Sequence, residues 1–355
     1  GVQTCALPIS NIEGRHVFMM KMNKKAVAAI TVLMMLALCL TGCGGGDANK
    51  DADNDAQQSA AATNLVFASG GTSGTYYPVA GAIAQVWENN VEGVSVNVQA
   101  TGASAENLNL VNQGDAEIAI VQNDVMYYAN TATEGFSNAA PNEGFLTLGT
   151  VYPEVCQLVV DANAGIETVA DLKGKSVSIG AFGSGVESNA KQILAAAGLS
   201  TDDIKVQNLD FAESASAIKD KAIVAAFITA GAPTTAVTEL ATTNDIKVLS
   251  LDQATIDALC DQYSYYTPYT IAADVYGADE DTQTVAVKAT IIVKADLDEE
   301  LVYNLTKGLF ENLDAVAAAH AKGNEMSLEG AVEGVSVPLH PGAAKYFEEK
   351  GVSAE

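Results

Sequence analysis

Short apolar runs alternate with amphipathic stretches along most of this chain. Leu65 to Ala68 is followed by a glycine-rich loop, Gly70 to Tyr77, and then by Val79, Ile83, Val86 and Trp87. The last four share one helical face, whereas a short apolar run bounded by turn residues reads as a buried strand. The pattern recurs. Val94 to Val98 alternates as a strand ahead of Gly102 to Glu106 and a helix carrying Leu108, Leu110 and Val111. Ile118 to Val121 reads as a strand ending at Gln122-Asn123-Asp124, and Val155 to Val160 as another strand. Val177 to Ile179 ends at Gly183 to Glu187 before a helix with Ile193 and Leu194, and Ile223 to Ile228 ends at Thr229 to Pro233. Later helical patterns run over Leu301 to Leu313 and Ala343 to Phe347. Strands alternating with helices predict an α/β architecture of parallel sheets flanked by helices.

In open sheets of this kind, ligands bind beyond the carboxyl ends of the strands. Here those ends carry Gly, Ser, Thr, Asn or an aromatic residue. A strand, a glycine-rich loop and a helix start leave backbone N–H groups unpaired, and the helix dipole adds about half a positive charge. Such a loop can hold a carboxylate without a basic side chain. The loops at Gly70–Tyr77 and Gly180–Glu187 look like counterparts from two halves of the molecule. The same glycines also suit tight turns alone. Tyr76 and Tyr77 sit where a ring would roof a cleft, while Tyr263, Tyr265, Tyr266 and Tyr269 suit interlobe packing as well as ligand contact.

The beginning of the sequence reads differently. Asn23-Lys24-Lys25, an apolar run from Ala26 to Leu40, and Leu40-Thr41-Gly42-Cys43 have the order of a lipoprotein signal, with Cys43 the expected lipidation site. Residues 1–19 bear no relation to the rest of the chain and are expected to be upstream read-through or a sequencing artefact, so 1–42 is read as artefactual leader plus signal. Residues 43–63 read as a flexible, lipid-anchored tether. Asp51, Asp53 and Asp55 resemble the start of a calcium loop, but Ala56 and Ala62 stand where its glycine and glutamate belong.

The formal charge is −26, and residues 1–42 carry a net +3, so the remainder is near −29. An acidic surface of this strength disfavours nucleic acid. Arg15 is the one arginine, which rules out an arginine clamp on a carboxylate in the body of the protein. Cys156 and Cys260 are expected to be free thiols. His320 and His340 lack Cys or His neighbours, so neither a metal nor a cofactor is expected.

Several stretches in the right order carry a resemblance. They are Gly74-Thr75-Tyr76-Tyr77-Pro78, Gln122-Asn123-Asp124, Ser176 to Glu187, Ala225 to Pro233, Val285-Ala286-Val287 and Val337 to Ala343. From about Leu65 to Val352 the chain resembles the TAXI-type substrate-binding receptors of tripartite ATP-independent periplasmic (TRAP) transporters. The resemblance implies a type II periplasmic-binding-protein fold with two lobes and an interlobe ligand cleft, lobe I being 64–157 with 286–355 and lobe II 158–285. It implies a monomeric, extracytoplasmic receptor that hands a small carboxylate or amino-acid ligand, such as glutamate or glutamine, to membrane permease subunits. Carried over by position, the ligand contacts are Gly74, Thr75, Tyr76, Ser104, Asn123, Asp124, Ser184, Gly185, Val186, Thr229 and Gly231. Val186 departs from the threonine frequent in the family. Asp124 suits an ammonium group or, equally, a helix N-cap.

A serine acyl enzyme is the competing class, since Ser188-Asn189-Ala190-Lys191 and Ser216-Ala217-Ile218-Lys219 match Ser-x-x-Lys. Lys-Thr-Gly and Gly-x-Ser-x-Gly are both absent, so no enzymatic activity is expected. The same fold serving as a sensor input is the other alternative.

Overall fold

The computed structural model describes residues 63–353. Cys43, its signal, the calcium-like motif and all of the tether except Thr63 lie outside the described residues. Among the described residues, ten strands form one mixed sheet. They are β1 (Thr63–Ala68), β2 (Val94–Gln99), β3 (Ile118–Gln122), β4 (Phe145–Asp161), β5 (Ser176–Ser178), β6 (Lys205–Gln207), β7 (Ala225–Ala230), β8 (Ile246–Leu249), β9 (Thr267–Ile271) and β10 (Thr282–Lys294). The helices are α1 (Tyr76–Asn90), α2 (Ser104–Gln113), α3 (Asn123–Thr131), α4 (Gly185–Ala196), α5 (Phe211–Lys219), α6 (Thr235–Ala241), α7 (Gln253–Gln262), α8 (Glu299–Phe310), α9 (Leu313–Ala319) and α10 (Pro341–Glu349). No helix of the described residues is long and apolar enough to cross a membrane.

The strand order is β2-β1-β3-β10-β4-β7-β5-β6, with β8 also on β4 and β9 also on β10. Pairing is parallel toward the two ends of this order, as the alternation predicts. The middle departs from that expectation: β10 runs antiparallel to β3 and β4, and β4 antiparallel to β7 and β8. The cause is β4, a 17-residue strand buried along almost its whole length. A strand covered on both faces shows no polar alternation, and Pro153-Glu154 interrupts its apolar run, so only the part from Val155 onward reads as a strand.

The apolar core changes over along the two long strands. Tyr152 and Ala289 pack with Leu65, Phe67, Trp87 and the C-terminal helices, whereas Cys156, Leu158 and Val287 pack with Val177, Ile193 and Phe227. Val79, Ile83, Val86 and Trp87 of α1 are buried together as their spacing predicts. The Trp87 indole N–H donates to the Leu305 carbonyl at 2.8 Å, tying α1 to α8. The helical pattern from Leu301 to Leu313 breaks after Phe310, where Asn312 donates to the Gly308 carbonyl at 2.8 Å and α9 begins afresh. Cys156 and Cys260 are both free thiols.

Candidate functional site: a cavity at the strand ends

Strand β1 delivers the chain into the loop from Ser69 to Thr75, which the Gly74 N–H closes by donating to the Gly71 carbonyl at 3.0 Å. Thr75 precedes α1 but makes no side-chain cap. Its hydroxyl donates instead to the Gly231 carbonyl beyond β7, at 3.1 Å. The first-turn N–H groups of α1 therefore keep no acceptor from the capping side chain. The second loop behaves differently. Ser184 Oγ accepts from the Glu187 N–H at 3.3 Å, and the Glu187 carboxylate accepts from the Gly183 N–H at 2.7 Å. Two loops that look equivalent in sequence are thus unequal, one capped by its own side chains and one left open.

The open loop borders a cavity of about 50 Å³. Of the anticipated contacts, Gly74, Thr75, Tyr76, Ser104, Val186 and Thr229 line it, together with Gln122, Glu154 and Phe211. Val186 presents an apolar side chain to it. Gly180, at φ +90°, lets the chain turn tightly enough for Val186 to reach the wall, since a Cβ there would strike the Val186 side chain.

The other five anticipated residues are near but not in this lining. Asn123 Oδ1 accepts from the Lys288 N–H at 3.0 Å, and its carbonyl accepts from Ser336 Oγ at 3.0 Å, which fastens α3 to β10 and the C-terminal turn. Asp124 lies inside α3, one residue past its start, and the helix is preceded by Gln122, so Asp124 is not the N-cap. Its fully buried carboxylate accepts from the Val125 N–H at 2.9 Å and from Asn189 Nδ2 at 2.8 Å. Burial pushes its acid up to about 7, with both hydrogen bonds opposing. Ser184 is a cap, and Gly185 packs beneath Gln122. Gly231 accepts from Thr75 and lies under the Lys322 side chain.

Glu154 is the acid that meets the cavity. It is 2% exposed and its Oε2 accepts from the Tyr76 hydroxyl at 2.6 Å. Burial pushes its carboxyl up to about 8; the Tyr76 hydrogen bond opposes this, and the charge of Asp124 adds to it. Lys322, the nearby cation, also opposes it, but its ammonium is paired with Glu325. Gln122 stands alongside with its side-chain oxygen buried and unpartnered. A lone acid inside the apolar stretch Val151 to Val160 is the signal in the sequence that points to Glu154.

A polar network joins α3 to α4 beside the cavity. Asn189 Nδ2 donates to the Tyr266 hydroxyl at 2.9 Å, Tyr266 donates to Gln192 Oε1 at 2.6 Å, and Gln192 Nε2 donates to the Tyr128 hydroxyl at 2.8 Å. Tyr263, Tyr265 and Tyr266 pack against one another there, and none of these, nor Tyr269, lines the cavity. A wider depression of about 640 Å³ opens between α3 and α4 and shares no residue with the α1 loop.

The two Ser-x-x-Lys motifs lie on α4 and α5. Lys191 Nζ pairs with Glu187 at 2.7 Å, and Ser216 and Lys219 are exposed on α5. His340 caps α10 by accepting from the Gly342 N–H at 3.2 Å, with its Nε2 3.1 Å from the Leu297 carbonyl.

This architecture is similar to solved structures that share the type II periplasmic-binding-protein fold. A protein from Bordetella bronchiseptica RB50 is 15% identical with a TM-score of 0.52, covering 81% of this chain and 98% of its own. PhnD1 from Prochlorococcus marinus, solved in complex with methylphosphonate, is 11% identical with a TM-score of 0.51, covering 74% of this chain and 91% of its own. These likenesses speak to the fold. The model of the NMT1-like family matches residues 67–351, nearly all of the described residues, and the chain belongs to that family.

Proposed function

We propose that this protein is an extracytoplasmic solute receptor, lipid-anchored through Cys43, that binds one small carboxylate-bearing solute and delivers it to a TRAP-type membrane permease. It binds its solute without chemical change. The observation that carries this reading is the cavity itself, at the strand ends, with the uncapped α1 N-terminus on one side and residues from both halves of the sheet around it. Backbone N–H groups at such a terminus serve a carboxylate well, and the protein has no arginine beyond Arg15 to do so. Its volume of about 50 Å³ is well below the roughly 300 Å³ at which ligand sites begin, so a solute enters when the halves part. The hinge of that motion is proposed at the two chain crossings, β4 near Pro153 and β10 near Lys288, where the core changes over. This division supports lobes of 64–157 with 286–355 and 158–285.

A thermal-shift screen against amino acids, keto acids, dicarboxylates, sugars and nucleosides tests the proposal. A solute at a hundred times its Kd should stabilise by about 2.7 kcal/mol. A response confined to sugars or nucleosides would remove the carboxylate assignment and keep the receptor.

A further inference from the structure

We propose that the side chains joining α3 to α4 form a clasp that holds the two halves of the molecule together before any solute binds, and that a proton on Asp124 tightens it. The inference rests on the receptor reading and adds to it a control on the open–closed balance that no solute contact supplies.

The halves meet on both flanks of the cavity, in different ways. On the α1 flank the bonds end on backbone carbonyls: the Ala236 N–H donates to Ser73 at 3.2 Å and the Thr75 hydroxyl to Gly231 at 3.1 Å. On the α3 flank side chain meets side chain. Asn189 Nδ2 donates to Asp124 at 2.8 Å, Gln192 Nε2 donates to Tyr128 at 2.8 Å, and the Tyr128 hydroxyl donates to that of Tyr265. The Tyr128 and Tyr265 rings also meet edge to face, with centroids 5.6 Å apart. Each contact pairs Asp124 or Tyr128 of the first half with a residue of the second. Tyr266 braces the second side by bonding both Asn189 and Gln192. None of these residues lines the cavity, so their contacts form without a solute.

Asp124 is the only carboxyl in the clasp, and the Asn189 amide serves either form of it. The amide N–H groups answer the carboxylate. The amide oxygen, buried with no partner, accepts from the neutral acid once the amide turns over.

The proton therefore reports on closure. The titratable groups around Asp124 are Tyr128 on its own helix, Glu154 and Cys156 on β4, and Tyr265 and Tyr266 after α7. The charges of α4, Glu187 and Lys191, are paired with each other. With the halves together, burial holds the Asp124 acid up at about 7. As they part, solvent arrives through the depression that Tyr128 and Gln192 line, and the acid returns toward its ordinary 3.8. The closed form thus binds the proton more tightly, and closure weakens as pH rises through 7. Between about pH 6 and about pH 8 the closing equilibrium should fall about tenfold.

Small-angle X-ray scattering of the solute-free protein at about pH 6 and about pH 8 reads this balance as a radius of gyration. The wild-type protein, Asp124→Asn, Asn189→Leu and Glu154→Gln are compared, each checked for folding by circular dichroism. The wild-type radius should grow with pH. Asp124→Asn, neutral throughout, should stay compact at both values, and Asn189→Leu should be expanded at both. Glu154→Gln should keep the wild-type response, which separates Asp124 from its acidic neighbour. A wild-type radius that ignores pH, or a response that survives Asp124→Asn, would overturn the role of the proton. A compact Asn189→Leu would overturn the clasp. Because no solute is added, these failures stand apart from failure of the receptor reading, which would show as a solute screen without a response.

Discussion

Tyr76 and Glu154, 78 residues apart in the chain, share a buried hydrogen bond of 2.6 Å at the wall of the cavity. It links the first turn of α1 to the point where β4 passes from one core to the other. Replacing Tyr76 by Phe removes the donor and leaves a buried carboxyl short of a partner, at an expected cost of about 1–3 kcal/mol. Urea denaturation should show a lower midpoint at unchanged m-value. An unchanged midpoint would mean that the Tyr76 hydroxyl contributes nothing to the fold.

Glu154, at about 8, and Asp124, at about 7, both titrate above their ordinary values of 4.5 and 3.8. The native state therefore keeps protons that the unfolded chain has already lost. The stability they favour is complete below the ordinary values and is lost as pH rises through 7 and then 8. The thermal midpoint should fall between about pH 5 and about pH 8.5, and the pair Asp124→Asn and Glu154→Gln should flatten that slope. A midpoint that climbs over this range, with the slope unaffected by the pair, would contradict the assignment.

Two glycines separate a structural constraint from a functional one. A Cβ at Gly342 would overlap the Glu299 carbonyl and press on the Tyr303 nitrogen, both backbone atoms of α8. Gly342→Ala should therefore destabilise by about 1–3 kcal/mol, since α10 must shift to relieve the clash. At Gly185 the overlap is with side chains, the amide of Gln122, which can swing, and Cγ2 of Val125. Gly185→Ala should cost less stability and weaken solute binding more, because the displaced amide forms part of the cavity wall. Denaturation of both variants and solute titration of Gly185→Ala check the pair, and the reverse order of effects would refute it.

The two thiols of the described residues should react unequally. Cys156 is 3% exposed, and burial pushes its thiol far above the ordinary range, while Cys260 is only partly covered and shifted in the same direction. Because the thiolate is the nucleophile, alkylation followed by peptide mapping should label Cys260 first and Cys156 only on unfolding. Equal rates in the native protein would show that the β4 core opens readily.

Most of the local structure is legible in the residue pattern. The four-residue spacing from Val79 to Ile83 and the alternation from Val94 to Val98 report one element at a time, and each gains its buried face from its own periodicity. The α/β class came from the order of those elements, and the resemblance to solute-binding receptors from motifs such as Gly74 to Pro78. Tertiary structure decided which strand ends share a space. Tyr76, Ser104, Glu154, Val186 and Thr229 meet only because β4 and β10 run antiparallel through both halves of the sheet, a pairing that residues buried on both faces do not announce. It also decided that Asp124, the acid conspicuous in a motif, bonds to Asn189, while Glu154, hidden in an apolar strand, reaches the cavity. Periodicity records whether a residue is buried; what it is buried against depends on contacts between segments far apart in the chain.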